Sequence, residues 1–446
     1  MIKRSLLLIA ITTTGLAFGQ TSMSLSLKEA QQMAADNSYK VLAGEKTAEQ
    51  AEKQVKETLA IGLPQINARG GYDHFIEIPT TIIPNFLQEF DPTQPEYLET
   101  QFGTTYNMMG EIKLDQLLFD AVYFVGLRGA RTIEEQAFLG LEKTTIEAKH
   151  ATTQAYLACL VYEENKRILD ETLEVLDRVF KETKAMNEAG FLEAIDVDQQ
   201  ELTLLTTQNE LIIVERQLDV GYKTLNFIMG VDINQELDLT STLNTILEAP
   251  EFTNIAITKF EMDSHIDHKM AINNLDRKSV SHKYQKSFYY PQLTGYLSHS
   301  QSAQRNEFNL FESGQPWYPT TVWGLNLNVP IWSSGQRHFA TQRAQIAYEQ
   351  AEIELKETSQ DLLLGVDQQR ENFVAAERKF ENETKNLELA KRIFDTSTSK
   401  YSEGLSSSFE LTQKQSQYLF TQQTYINGLV DLLVARTELN KALNLY

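Results

Sequence analysis

From Ser333 to Gly404 the chain contains no proline, and between Gly335 and Gly404 its only glycine is Gly365. Within that stretch Val366, Phe373, Phe380, Leu387 and Phe394 fall at every seventh position. A strict seven-residue apolar repeat is the seam of a left-handed coiled coil. A helix of about 70 residues is roughly 100 Å long at ~1.5 Å per residue, well beyond the usual globular helix of about 8–20 residues. A soluble enzyme rarely needs such a rod, so its two ends become the object of interest.

The rod occurs twice. Leu63-Pro64-Gln65-Ile66 matches Tyr290-Pro291-Gln292-Leu293, and Leu118-Phe119-Asp120 matches Ile331-Trp332-Ser333. Glu188-Ala189-Gly190-Phe191, followed by Ile195 and Val197, matches Ser402-Glu403-Gly404-Leu405, followed by Phe409 and Leu411. Phe119 to Gly190 is 71 residues and Trp332 to Gly404 is 72; Gly190 to Asn226 and Gly404 to Asn440 are both 36. Only the stretch after each proline differs, 55 residues against 41, which predicts an insertion in a loop of the first copy, where insertions are best tolerated. Two copies of one long unit override the length-based expectation of about three separate domains.

Each copy reads as helix, two strands, long helix, turn and shorter helix. The expected division is a signal peptide over 1–19, a first repeat over 20–230, a connector over 231–256 and a second repeat over 257–446. In the first repeat, strands are predicted near 65–78 and 104–118, a long helix over 121–187 and another over 194–230. The opening helix starts at Ser26 with Glu29 three residues on, a capping-box pattern, with a break near Asp36-Asn37. In the second repeat the expected elements are a helix over 257–289, strands near 291–302 and 319–331, and helices over 334–401 and 407–443. Leu237-Asp238-Leu239 in the connector reads as a short strand.

The strand segments switch to period two. Ile66, Ala68, Gly70 and Tyr72 alternate with Asn67, Arg69 and Asp73; Met108, Ile112 and Leu114 alternate with Glu111, Lys113 and Asp115. Leu293, Gly295 and Leu297, then Trp323, Leu325 and Leu327, continue the pattern. Apolar-out, polar-in strands of this length are the pattern of a membrane-spanning barrel; the same alternation also suits a soluble amphipathic sheet. Aromatic residues gather at the strand ends, as interface girdles do: Phe119, Tyr290, Trp317, Trp323 and Trp332 are the candidates. Four strands cannot close a barrel, and open edges are not tolerated in lipid. Three copies pooling their strands give twelve.

The compartment follows from the N-terminus. Lys3 and Arg4, an apolar run from Leu6 to Ile11 and small residues to Gly19 form a secretory signal with cleavage near Gly19. The single cysteine, Cys159, makes no intrachain disulfide and lies too far in for N-terminal lipid attachment. A net charge of −21 argues against nucleic acid and against docking on anionic lipid through a basic patch.

No phosphate loop, zinc-protease motif or nucleophile elbow is present. His265 and His268 flank Asp267 at helical spacing, half a metal site at most, so no metal and no cofactor is expected. The functional candidates cluster instead at the two helix-hairpin turns: Glu188, Gly190 and Asp196 at one, and Asp395, Tyr401, Glu403 and Gly404 at the other. Glycine supplies the positive φ such a turn needs, and a symmetric assembly would set the carboxylates in rings that favour cations. Lys184, Arg392 and Lys400 stand near as candidate partners.

These residues together resemble the TolC-like outer-membrane efflux proteins over essentially the whole mature chain. The resemblance rests on Leu25-Ser26-Leu27-Lys28-Glu29-Ala30, on the two Pro-Gln junctions, on Val329-Pro330-Ile331-Trp332 with Gly335, and best on Tyr401-Ser402-Glu403-Gly404 followed by Phe409, Leu411 and Gln415. It implies a mixed α and β membrane protein: a homotrimer whose twelve-stranded β-barrel is continuous with a long α-helical coiled-coil barrel. It further implies an outer-membrane duct reaching into the periplasm of a diderm bacterium, working with an inner-membrane pump and a periplasmic adaptor, with a gate at the hairpin turns and Asp395 the leading candidate. Asn37-Ser38 stands where many relatives have Asn-Pro, and the lipid-anchoring cysteine of one subgroup is missing. The same architecture serves small-molecule efflux and polypeptide secretion. The competing class is a soluble periplasmic coiled-coil scaffold or adaptor.

Overall fold

The computed structural model describes residues 22–249 and 254–446; the expected signal peptide lies outside them. In chain order the elements are β1 (Met23–Leu25), α1 (Leu27–Asn37), α2 (Tyr39–Ala60), β2 (Gln65–His74), β3 (Thr80–Pro84), β4 (Tyr97–Gln101), β5 (Tyr106–Asp120), α3 (Ala121–Glu188) and α4 (Ala194–Met229). They continue with β6 (Leu237–Leu239), α5 (Leu243–Leu247), α6 (Ile266–Ser287), β7 (Gln292–Arg305), β8 (Tyr318–Asn328), α7 (Gln336–Ser402) and α8 (Ser408–Ala442). The order helix, two strands, long helix, shorter helix occurs twice. The chain divides into two compact units, one of Met1–Ala48, Ala137–Ala271 and Leu355–Tyr446, the other of Glu49–Gln136 and Ile272–Glu354.

The first unit is helical. Helix α1 opens with both halves of the capping box: the Glu29 amide donates to Ser26 Oγ at 3.4 Å, and the Ser26 amide donates to the Glu29 carboxylate at 2.8 Å. Its core joins Tyr156, Leu160, Leu225, Met229, Phe373, Leu429 and Leu433, all buried. The seven-residue seam of α7 faces inward here, with Phe373 and Phe394 fully enclosed and Phe380 and Leu387 packed against them. Leu237–Leu239 pairs in parallel with Met23–Leu25, a partner too short to announce itself in the sequence. The Tyr156 hydroxyl bolts this small sheet to α3, donating to Leu25 O at 2.8 Å and accepting from the Ser241 amide at 3.2 Å. Helix α4 ends at Gly230, whose φ of +73° lets the chain turn hard against the carbonyl of Asn37 at the α1–α2 break.

The second unit holds a four-stranded antiparallel sheet in the order β2-β5-β7-β8. The register puts Ile66, Leu114, Leu297 and Trp323 in one row across all four strands. The neighbouring row of the other face carries Asn67, Lys113 and Ser298, followed by Arg69, Glu111 and Ser300. The polar face is internally paired: Arg69 meets Glu111 at 2.5 Å, Lys113 meets Asp115 at 2.7 Å, and the Lys113 ammonium lies 5.3 Å from the ring centroid of Tyr296. The ring of Tyr296 fills the space a side chain at position 324 would need, so Gly324 sits opposite it.

Several boundaries differ from expectation. The first strand ends at His74, not Ile78, because the chain turns before Pro79 into a hairpin of its own, β3 with β4; the stretch expected to carry a loop insertion therefore includes a small sheet. The helix expected over 257–289 begins only at Ile266. Single 3-10 turns at Ile255–Ile257 and Met262–Ser264 precede it, and His265 Nδ1 accepts the Asp267 amide at 3.2 Å, capping the helix start. The last strand stops at Asn328, ahead of Pro330, which has no amide hydrogen to donate to a ladder.

The two turn glycines permit a sharp test of this packing. A Cβ at position 230 would lie 2.1 Å from Asn37 O, whereas nothing stands within 4 Å of one at position 190, where φ is +84°. Gly230→Ala is expected to cost about 3 kcal/mol through clash and strain together, and Gly190→Ala only about 1 kcal/mol. Urea unfolding of the two purified variants beside the parent measures both.

Candidate functional site

The candidate site is the pair of hairpin turns in the helical unit. Each long helix closes on a glycine with positive φ, Gly190 at +84° and Gly404 at +74°. In both, the residue after the glycine donates back five residues: Phe191 to Met186 O at 2.9 Å, and Leu405 to Lys400 O at 2.8 Å. This double closure satisfies carbonyls that a helix end otherwise leaves bare. The return helices then start on opposite halves of the capping-box pattern. The Asp196 carboxylate accepts the Glu193 amide at 3.1 Å, and Ser407 Oγ accepts the Glu410 amide at 3.2 Å.

At the turns, two side-chain bonds tie one hairpin to the other. The Tyr401 and Thr183 hydroxyls lie 3.0 Å apart. Ser408 Oγ donates to the Asp196 carboxylate. Tyr401 is buried among Leu176, Val179, Phe394 and Leu411, and that burial pushes its phenol above the ordinary value. Thr183 also donates to Val179 O at 2.9 Å, so it keeps a partner when the phenol leaves. The structure thus brings Tyr401 and Asp196 into the contact between hairpins. Glu188, Asp395, Glu403 and both glycines stand exposed to solvent. Among the described residues no ion pair within one copy uses Lys184, Arg392 or Lys400, the candidate partners of the acids between helices of the assembly.

Sequence reasoning passed over the apolar side chains at the same turns. Phe191 and Leu405, at matching positions of the two copies, are 82% and 72% exposed, and the next matched pair, Ile195 and Phe409, is as open. Their signal was present in the duplicated pattern, where an apolar residue follows each glycine at a turn that is otherwise polar. The other candidates lie in the sheet unit. Phe119 and Tyr290 stand at strand ends, Trp317 just before β8, and Trp332 beyond it, 84% exposed. Trp323 is a correction: it is the middle residue of β8, opposite Leu297, and so lies in the apolar row rather than at a strand end. Arg337 organises this end of the sheet, donating to Pro330 O at 2.9 Å and Phe288 O at 3.2 Å with its guanidinium over the Tyr289 ring.

The two central histidines behave as structural groups. His265 is buried, spends Nδ1 on the helix cap and packs edge-on against Phe260. Desolvation holds its imidazole below the ordinary value, with the Asp267 charge opposing. Among the described residues no cluster of three or more His, Cys, Asp or Glu has the arrangement of a metal site. Cys159 is buried, and its thiol is pushed up to about 12, which leaves it unreactive.

Known proteins give this geometry a context. Residues 30–231 and 267–445 each match the outer membrane efflux protein family, so the two repeats are two copies of one family unit. The chain is 24% identical to the pyoverdine export outer membrane protein OpmQ of Pseudomonas aeruginosa over 68% of its own length and 62% of that protein's. In fold it is similar to the outer membrane protein VceC of Vibrio cholerae, with a TM-score of 0.70, 13% identity and coverage of 94% and 95% of the two chains. It is similar also to the outer membrane channel CmeC of Campylobacter jejuni, with a TM-score of 0.71, 14% identity and coverage of 94% and 85%. With nearly the whole described chain covered by the two family matches, the protein belongs to the outer membrane efflux protein family.

Proposed function

We propose that the chain assembles as a homotrimer forming the outer-membrane duct of a three-part efflux system, opened by a periplasmic adaptor and an inner-membrane pump. One observation carries the reading. The four-stranded sheet carries an apolar row across all four strands on one face, and neither of its outer edges, on β2 and β8, has a strand partner among the described residues. No described helix is long and apolar enough to cross a membrane. An open edge leaves backbone donors and acceptors unpaired, which hydrocarbon does not tolerate. Three copies joining β8 to β2 close a twelve-stranded barrel, and trimers are the known assembly of TolC-family channels. OpmQ is named for export, which supports the direction of transport here and leaves the cargo open.

The duct does no covalent chemistry. Its control step is conformational, and it sits at the hairpin turns. The Tyr401–Thr183 and Ser408–Asp196 bonds hold the two hairpins together, while three copies set Glu188, Asp395 and Glu403 near one another at the closed end. The exposed Phe191, Ile195, Leu405 and Phe409 form the contact for the adaptor. An apolar group left in water at a turn gains most from a partner that covers it.

Two measurements test the gate. Neutralising the acids with Asp196→Asn and Asp395→Asn together is expected to raise the conductance of channels reconstituted in planar bilayers; unchanged conductance rejects the assignment. Tyr401→Phe removes one hydrogen bond, worth about 1 kcal/mol, and shifts the closed-to-open ratio roughly five-fold toward open. The phenol's raised pKa also sets a pH sense. A tyrosine held neutral by burial stabilises the packed state below the free-chain value of 10.0 and loses that contribution as pH rises through the folded value. Conductance is therefore expected to climb above about pH 10 in the parent and to lose that component in Tyr401→Phe.

A further inference from the structure

The buried stripe of α8 runs Leu411, Gln415, Tyr418, Gln422, Ile426, Leu429 and Leu433. Two of its seven members are amides, seven residues apart and thus at equivalent positions of the seam. Neither is on the surface: Gln415 is 1% and Gln422 4% exposed. Each bonds to a different neighbour. Gln415 Nε2 donates to Gln200 Oε1 of α4 at 2.9 Å, and Gln200 Nε2 donates onward to Thr412 Oγ1 at 3.1 Å. Gln422 Nε2 donates to Thr172 Oγ1 of α3 at 2.7 Å. These bonds join the α3–α4 hairpin to the α7–α8 hairpin, as the bonds at the turns do.

The satisfaction is only half complete. The carbonyl oxygens of Gln415 and Gln422 are buried and accept no hydrogen bond from the described residues of the chain. A buried acceptor left without a donor raises the energy of the packed state relative to any state in which water reaches it. Leucine in place of Gln422 would carry no such penalty, since Thr172 Oγ1 keeps its bond to Ile168 O, nor would leucine in place of Gln415 and the Gln200 it bonds together. The tip half of the helical unit is therefore packed below its attainable stability at two adjacent points. Both lie within roughly 30 Å of the turns at ~1.5 Å per residue. Beyond Ile426 the stripe joins the main core through Leu429, Leu432 and Leu433, and takes in the buried Thr437 only further on.

We infer that Gln200, Gln415, Gln422 and Thr172 form a releasable seam. When the turns open, α8 parts from α3 and α4 along this line as far as Ile426. Water entering the gap supplies the hydrogen bonds that the packed seam withholds, which offsets part of the cost of separation. The apolar core past Ile426 stays closed and acts as the hinge point. The four residues position the moving helix and touch no cargo in the packed arrangement. The inference rests on the reading of the turns as the gate, and it adds where the movement stops and what compensates it.

The test uses the full-length assembled protein with Gln200→Leu, Gln415→Leu and Gln422→Leu combined, and a second variant with Gln200→Met, Gln415→Met and Gln422→Met that conserves side-chain length. Hydrogen exchange reads the seam directly. Backbone amides of 411–422 and 169–176 are expected to exchange at least ten-fold more slowly in either variant than in the parent, with those of 429–439 unchanged. Conductance reads its use: in the Asp196→Asn, Asp395→Asn background either variant is expected to return the channel toward its closed level. Unchanged or faster exchange in 411–422 in a folded variant overturns the seam, whatever the channel does. Slower exchange with conductance still fully raised overturns its role in opening. Slower exchange in a protein whose conductance the tip substitutions never raised fails the gate reading instead, and with it the seam's use as an opening device.

Discussion

The constraint on which the rest depends is the backbone hydrogen bonding of the sheet. Strands β2 and β8 each present one row of amide and carbonyl groups that no other described strand pairs. In water such an edge is merely prone to aggregation. In hydrocarbon it is untenable, because each unpaired group costs several kcal/mol and nothing else is present to bond it. The side chains admit no compromise: Ile66, Leu114, Leu297 and Trp323 stand in one apolar row, while the adjacent rows carry Arg69 against Glu111 and Lys113 against Asp115. A one-residue slip would put the ion pairs on the apolar face. Register and edge pairing together require further strands, and in this family they come from other copies.

The helical unit resolves a different conflict. Its centre is packed for permanence, with Tyr156, Phe373, Leu225 and Met229 fully enclosed and Gly230 allowing a close approach that no larger residue permits. Toward the turns the contacts become polar: Thr172 with Gln422, Gln200 with Gln415, Thr183 with Tyr401, Asp196 with Ser408. A net contribution of about 1 kcal/mol per hydrogen bond compares with about 3–5 kcal/mol for removing a buried aromatic side chain. Near the turns these bonds are interleaved with a smaller apolar cluster of Leu176, Val179, Phe394, Tyr401, Leu411 and Tyr418, against the larger cluster at the centre. A difference of that kind along one coiled coil is what a hinge needs, and it requires no break in any helix.

The legible part of this structure was whatever the chain punctuates. Gly190 and Gly404 end the long helices within a residue of where their positions imply, because only glycine pays little for positive φ there. The duplicated spacing was readable for the same reason. The invisible part was whatever depends on a distant partner. Met23–Leu25 is too short to read as a strand without Leu237–Leu239 beside it. The late start of α6 depends on His265 turning its own ring nitrogen to cap the helix, which a helical pattern of side chains does not reveal. At the turns, residue type alone pointed to the acids. The structure gives Tyr401 and Asp196 the contacts and leaves Asp395 in solvent, a distinction of burial that composition does not carry. The exposed pairs Phe191 with Leu405 and Ile195 with Phe409 were in plain view as repeats, but an apolar residue beside a turn reads equally as core.

The exposed apolar residues close the physical argument. On α4, Leu202, Leu205, Ile212, Ile213 and Val220 face outward, and on α8 so do Phe420, Val430 and Val434. Scattered surface leucines need no explanation, but eight large side chains along two neighbouring helices form a band, and bands of that kind mark interfaces. The sheet lacks backbone partners and the helices lack apolar ones, so a single copy is incompletely satisfied in both units by two independent criteria. For such a chain folding and assembly are not separable: the free energy that finishes the protomer is supplied by its neighbours, and its stability depends on their concentration in the membrane. The proposed opening at the turns is compatible with that dependence only if the contacts between copies stay intact while those between hairpins yield. Placing the weak polar bonds inside the protomer, near its tips, meets that requirement.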